Sequence, residues 1–435
     1  MPSIESGLMN DRPAPGYILA GTILDPVSPR EMRAAAGGLA IGVRTETIRD
    51  VGTVAELERR YTGWPVVQVP DCVILPAFSD GHARLADYAV RGLAGEYHDL
   101  GPLAWLDEVV YPEEANYDDP GYAQSCVTDF FEAALAQGTV TGFVVTPPQQ
   151  ETLATFFEAP VAGRWYAGNV IADAMASQPY RPSTEEAIQN LENSAFRFGK
   201  KYVVSPRAVP ACSDQVLELA GGLSIDDEVY TQIPLAVSAD EVALVEQRTQ
   251  GQESSTDVLH RLKLLGQRTL LSHCNYLTEP EWRILNALDC IVVHTPGADE
   301  VFDAPPLPLE KLYEHRLRWA LGSAVGASPS LSMLYTIQAF LRVHAYTGSP
   351  DLASEALYRA TVSVPAILKH DPSGRIEPGH SADLLVCRCP EAAQESEPER
   401  ILRTLVEGDL AELEARPLAT IRRSQLVSGQ LAEVG

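Results

Sequence analysis

The stretch VILPAFSDGHARL, residues 73–85, sets an acid, an imidazole and a guanidinium at alternate positions: Asp80, His82 and Arg84. On an extended chain such residues point to one face. Asp-x-His at the end of an apolar run could open a metal site, which would want a further ligand two residues past His82. Arg84, a permanent cation, stands there instead. Its planar fork suits a carboxylate or an oxyanion. The plainer alternative is that it fills volume and pairs with Asp80 or Asp87. Asp80 reads as a residue that orients the loop. A second imidazole, His273, closes the apolar run RTLLS and is followed by Cys274. His82 and His273 could act as general acid and base, because a neutral imidazole titrates near physiological pH; leftover hydrogen-bonding residues are the other reading. Cys274 invites a nucleophile role, but nothing places a base beside it, so a small buried residue is preferred.

The elements that must position these residues alternate. From Val73 onward come the short apolar strands VILPAF, TVTGFVVT, RWYAGNVIA, KYVVSPRA, YTQIPLAV, RTLLSHC, CIVVHTP and LRWALGSA. Each is followed by a helical pattern, at 120–137, 150–158, 183–198, 213–222, 239–249, 279–288, 308–315 and 331–346. Eight such units over about 270 residues predict an α/β fold, a (β/α)8 TIM barrel. In the first helix Val127, Phe130, Phe131, Ala134 and Leu135 form one apolar stripe. Residues 17–72 hold short strand-like runs separated by turns, and the tail from GRIEPGHSADLLVCRC returns to that texture. We expect a small β-sandwich domain from residues 1–72 with 368–435, and a barrel over 73–367. A barrel does its chemistry at the C-terminal ends of its strands. Those ends hold Asp80, His82 and Arg84, then Arg207, then Pro234 and Val237, then His273 and Cys274, and last Ser323 and Ala324.

A net charge of −26 over 435 residues argues against nucleic acid and anionic membranes as partners. The seven cysteines show no zinc-knuckle or CxxC spacing; Cys387 and Cys389 form a lone CxC. Reduced, buried thiols in a cytoplasmic protein are expected. No basic segment leads into an apolar run at the start, and no stretch reaches about 18 apolar residues, so neither a signal peptide nor a membrane span is expected.

ILPAFSDGHARL resembles the strand-one motif of the amidohydrolase superfamily, usually Asp-x-His-x-His after a Pro-Gly-rich turn. SHCNYLTEPEWRIL resembles its strand-six motif, and GRIEPGHSADLLV its C-terminal strand signature. WLDEVVYPEEANYDDPGYAQSCVTDFFEAALAQGTVTG, STEEAIQNLE, VSPRAVPACSDQVLELAG and LGSAVGASPSLSML are similar to guanine deaminases, and the likeness covers nearly the whole chain. The resemblance implies a homodimer and a zinc-dependent deamination. Its zinc is held by two His after strand one, one after strand five and one after strand six, sometimes with an Asp after strand eight. A Glu three residues past the strand-five His shuttles protons. Matched position by position, His82 and His273 are kept. The second strand-one His is Arg84, the strand-five His and Glu fall on Pro234 and Val237, and the strand-eight Asp falls on Ala324.

The expectation from this match is a chain without metal or other cofactor. Arg207 matches an Arg that contacts the purine carbonyl, and Ala208 replaces an aromatic that packs on the base. Asp87 stands where relatives carry a Gln that reads the purine edge, so donors are lost and acceptors remain. Tyr88, Trp105, Ser323 and Cys274 are further candidates to line the mouth, and His294 reads as structural. Three functions stay open. The expected one is a metal-independent enzyme that uses His82, Arg84, His273 and Asp87 on a small nitrogen-containing ring, by proton transfer, decarboxylation, cyclisation or isomerisation. The others are a pseudoenzyme that binds a small ligand or an active homologue, and a hydrolase with a rebuilt metal site.

Overall fold

The computed structural model describes residues 15–174, 182–226, 229–369 and 372–431. In chain order its strands are β1 Gly16–Ser28, β2 Glu31–Gly42, β3 Thr47–Gly52, β4 Val66–Pro76, β5 Phe78–Arg84, β6 Thr139–Thr146, β7 Trp165–Ile171 and β8 Val203–Pro206. They continue with β9 Tyr230–Leu235, β10 Thr269–His273, β11 Ile291–His294, β12 Arg318–Leu321, β13 Leu384–Arg388, β14 Pro417–Arg422 and β15 Gln425–Gly429. By internal contacts the chain divides into two compact units, Met1–Ser79 with Glu132–Thr141 and Ser332–Gly435, and Asp80–Phe131 with Gly142–Leu331.

Both chain ends build one seven-stranded sheet, ordered β15-β14-β13-β4-β1-β2-β3. β1 runs antiparallel to β2 and parallel to β4, which pairs antiparallel with β13. Alternate residues face one apolar core: Tyr17, Leu19 and Ile23 from β1, Leu39 and Ile41 from β2, Leu384 and Val386 from β13. The expected small β domain is thus one mixed seven-stranded sheet with an apolar core on one face.

One strand differs from the sequence reading. Val73–Pro76 was expected to begin the barrel, yet it ends β4 and pairs with β1 and β13 of the small sheet. The apolar run from Val73 to Phe78 serves two strands, one on each side of Ala77, and both are buried. Hydrophobicity alone cannot locate such a break. In consequence the first barrel strand is β5, and His82 and Arg84 lie within it rather than beyond it.

The barrel sheet runs in chain order from β5 to β12, with parallel registers such as Pro234 opposite Ser272 and Val293 opposite Ala320. First and last strands meet where two glycines permit it. A methyl on Gly81 would lie 2.8 Å from the Leu321 carbonyl oxygen, and one on Gly322 would lie 2.8 Å from the His82 nitrogen. The helices fall where the periodicity put them: Pro120–Ala136, Gln150–Glu158, Thr184–Phe198, Asp214–Asp226, Ala239–Thr249, Glu279–Ala287, Leu309–Glu314 and Met333–Val343. The stripe from Val127 to Leu135 is buried, and Ser183 with Glu186 forms a capping box that starts the third of these helices. Three short helices, Gly101–Trp105, Tyr111–Asn116 and Ser255–Arg261, carry too little periodicity to be read from sequence. Among the described residues no helix is long and apolar enough to cross a membrane, and all seven cysteines are free and buried.

Candidate functional site

Asp80 ties the first barrel strand to the last. Its Oδ1 accepts hydrogen bonds from the His82 N–H at 2.9 Å and the Ser323 N–H at 3.0 Å, and its Oδ2 accepts from the Ser323 hydroxyl at 2.5 Å. Burial pushes the Asp80 carboxyl up, against these three bonds, which favour the anion. The Ala324 N–H donates to the His82 carbonyl at 2.8 Å, so the backbone on both sides of His82 is held. Ser323 therefore spends both its polar groups on Asp80.

His82 is buried, and its imidazole is held well below its usual pKa by burial first, then by Arg84 and His273, with a hydrogen bond to Gln232 acting the other way. The ring is a neutral base or hydrogen-bond partner at pH 7. It stands edge-on to His273, with ring centroids 6.4 Å apart. His273 Nδ1 is 3.1 Å from the Thr295 hydroxyl and 3.9 Å from Asp299 Oδ1, and the other Asp299 oxygen is 3.5 Å from His294 Nδ1. A buried carboxylate thus faces two imidazoles. Gln232 sits on β9 and donates to the Val144 carbonyl at 3.0 Å and the Ser205 hydroxyl at 2.9 Å. Pro234, two residues on, shares that face of the strand.

The third group is a pair of ion pairs. Arg84 Nε donates to Asp87 Oδ2 at 2.8 Å. Arg207 Nη2 donates to both oxygens of Glu114, at 2.7 Å to Oε1, and its guanidinium lies 4.8 Å from the centre of the Tyr111 ring. Burial opposes the Arg207 charge, but Glu114, Tyr111 and Asp87 together outweigh it and the pKa is raised. Asp87 acts electrostatically on Arg207, and both Arg207 and Arg84 act on Tyr111, so the two pairs form one cluster. Several polar atoms in it have no partner among the described residues: Asp87 Oδ1, Arg207 Nε and Arg207 Nη1.

The other expected lining residues lie as follows. Cys274 is fully buried, its Sγ is 3.6 Å from the Leu271 carbonyl, and burial pushes its thiol far up, which rules against a thiolate. Tyr88 is half-buried, stacks edge-on against Phe130 and carries Arg91 over its ring. Trp105 packs with Ala94 and Val110 in an apolar cluster. Four residues at these strand ends have positive φ, between 45° and 71°: Ala236 after β9, His273 and Cys274 at the end of β10, and Ala324 after β12. For residues with a Cβ this conformation costs about 1–2 kcal/mol each.

The amidohydrolase family model matches residues 73–411. This chain belongs to the amidohydrolase family. It is 26% identical to the guanine deaminase of Escherichia coli (strain K12) over 336 residues, 73% of this chain and 76% of that one. Its likeness to the probable guanine deaminase of Deinococcus radiodurans is 27% over 370 residues, 81% and 82% of the two chains. The solved E. coli guanine deaminase superposes with a TM-score of 0.83 at 23% identity, covering 95% of this chain and 99% of the other. At that identity the superposition speaks for the fold.

Four residues that contact this cluster escaped the sequence reading: Glu114, Gln232, Thr295 and Asp299. Glu114 stands 93 residues from the Arg207 it pairs with. Its one sequence signal is the acidic pair in YPEEAN, directly after an aromatic and a proline. Asp299 lies in the first turn of the short helix Pro296–Val301 after β11, and nothing local distinguishes it from an acid placed against a helix dipole.

Proposed function

We propose that this amidohydrolase acts on a small nitrogen-containing ring without zinc, by acid–base transfer through His82 and His273 and charge stabilisation by Arg84. The observation that carries the reading is the Arg84–Asp87 ion pair, a guanidinium held 2.8 Å from a carboxylate at the position where the family resemblance implies a zinc ligand. The residues present do not fit that metal. Two imidazoles remain, Pro234, Val237 and Ala324 offer no donor atom, and a catalytic zinc takes three protein ligands as a rule. A guanidinium about 4 Å from a dication would repel it by about 8 kcal/mol at an effective dielectric of 20. The relatives named guanine deaminase support a nitrogen heterocycle as ligand. A cytoplasmic homodimer belongs to the same reading, from the resemblance.

In this reading His82 takes or gives a proton at the ring as a neutral base, and His273 partners it, oriented by Thr295 and Asp299. Arg84 faces the charge that develops. The self-pairing of both guanidiniums favours a second reading, a ligand-binding chain without turnover, because a neutralised cation stabilises an oxyanion less. A screen of purines, pyrimidines and triazines, followed by mass spectrometry of products, separates the two. Arg84→Gln keeps a donor to Asp87 and removes the charge. We expect it to lower turnover at least about 100-fold with the fold intact by circular dichroism. Undiminished turnover in that variant would sink the proposal.

A further inference from the structure

We infer that Gln232 is a positioning residue for His82. It holds the His82 ring in one tautomer, with the ring N–H toward the Gln232 amide, so the bare nitrogen is left for the ligand and His82 opens the reaction as a base. The base role rests on the reading that His82 and His273 transfer protons at a small ring. Gln232 carries an amide that cannot turn. It is buried on β9, and its Nε2 donates to the Val144 carbonyl at 3.0 Å and to the Ser205 hydroxyl oxygen at 2.9 Å. Ser205 spends its own hydroxyl proton on the Val203 carbonyl at 2.9 Å, so toward Gln232 it is an acceptor. Two acceptors decide which end of the amide carries the hydrogens. Both amide hydrogens are then in use, and only Oε1 remains.

What Oε1 meets is the His82 ring. Val144 lies on β6, three strands from β9 in the barrel order, so the amide reaches across the interior toward the side where β5 carries His82. A hydrogen bond joins the ring to Gln232. With both amide hydrogens spent on Val144 and Ser205, the ring is the donor and Oε1 the acceptor. Oε1 has no other partner among the described residues, and a buried carbonyl oxygen left without a donor is costly. The tautomer with its N–H toward Gln232 removes that cost, and the other tautomer leaves it in place.

His82 has little freedom to escape this arrangement. Its N–H and its carbonyl are tied to Asp80 and Ala324, and a methyl on Gly322 would lie 3.0 Å from its Cβ. A neutral imidazole carries one N–H. Once that N–H faces Gln232, the second ring nitrogen is an acceptor alone. A ligand there must bring an N–H or O–H of its own. In the step that follows, the proton leaves that bond for the bare nitrogen, the electron pair stays on the ligand, and Oε1 goes on accepting from the imidazolium that forms. Reactions that begin by protonating the ligand from His82 are excluded.

The test reads the tautomer directly, by nitrogen NMR of the full-length protein labelled at histidine, at pH 7 and without ligand. A His82→Gln sample identifies the His82 signals. The expected result is one tautomer at about 90% or more in the parent, and a ratio about tenfold nearer the other tautomer in Gln232→Leu. Ser205→Ala frees one amide hydrogen and should move the ratio the same way by about threefold, which serves if Gln232→Leu does not fold. With a substrate from the ring screen, Gln232→Leu should lower kcat about tenfold and leave KM within about twofold. A mixture of tautomers in the parent, or a ratio that neither variant moves, overturns this inference and leaves the proposed function standing. A single tautomer that shifts in the variants, with no ring turned over by any sample, upholds the positioning of His82 and sinks the proposed function together with the base role.

Discussion

Asp80 and Asp87 are seven residues apart and equally buried, yet they do different work. Asp80 receives three donors from His82 and Ser323, so both its oxygens are engaged. Asp87 receives one, from Arg84, and keeps a buried oxygen free of partners among the described residues. Burial therefore does not tell a structural carboxylate from a ligand-facing one; the unfilled hydrogen-bonding capacity does. Glu241 extends the contrast. It is a third buried carboxyl, at the start of the helix after β9, whose Oε2 accepts the Val237 N–H at 2.7 Å while Oε1 has no partner among the described residues.

The largest effect should come from the satisfied acid. Asp80→Ala leaves the His82 N–H and both polar groups of Ser323 unpartnered in the seam between β5 and β12. We expect a loss of about 4 kcal/mol in unfolding free energy, read by denaturant titration. A loss under about 1 kcal/mol would erase the distinction.

Glu241 gives the next effect, with a sign that depends on pH. Burial raises its pKa from 4.5 to about 7. The folded chain then keeps the proton up to about pH 7, while the unfolded chain releases it near pH 4.5. The unfolded state binds fewer protons across that window, so stability falls as pH rises through it. Glu241→Gln should flatten the slope between pH 5 and 7 and be about 3 kcal/mol more stable than the parent at pH 8. Asp80 and Asp299, also raised by burial, tilt the same way, so the slope shrinks rather than vanishes. A slope unchanged in the variant would remove Glu241 from this account.

The smallest effect on stability belongs to Asp87. Asp87→Asn keeps an acceptor for Arg84 but removes the carboxylate charge that pairs with it, so the cost should be about 2 kcal/mol, still below that of Asp80→Ala. Its mark should appear in ligand choice. A loss as large as that of Asp80→Ala would mean Asp87 is structural too.

How much of this was legible in the sequence follows from the range of the interactions. The strand–helix alternation and the eight helices are local patterns, so periodicity located them. The division of the run Val73–Phe78 between two sheets is not local, because both halves are equally apolar. At the site, His82, Arg84, Asp87, Arg207 and His273 could be named from strand ends and resemblance. Their partners could not: Glu114 and Asp299 act across the fold on Arg207 and on the two imidazoles. Tertiary contact made them site residues, and an acid in a short helix carries no such sign beforehand.

The central claim is that a guanidinium has taken the place of a zinc ligand and the mouth works without the metal. The most direct measurement is the metal content of the purified, untagged protein by inductively coupled plasma mass spectrometry. The account predicts less than about 0.1 zinc, iron or manganese per chain, since two imidazoles beside Arg84 cannot retain one. Close to one metal per chain would contradict it and bring metal-assisted hydrolysis back as the leading reading.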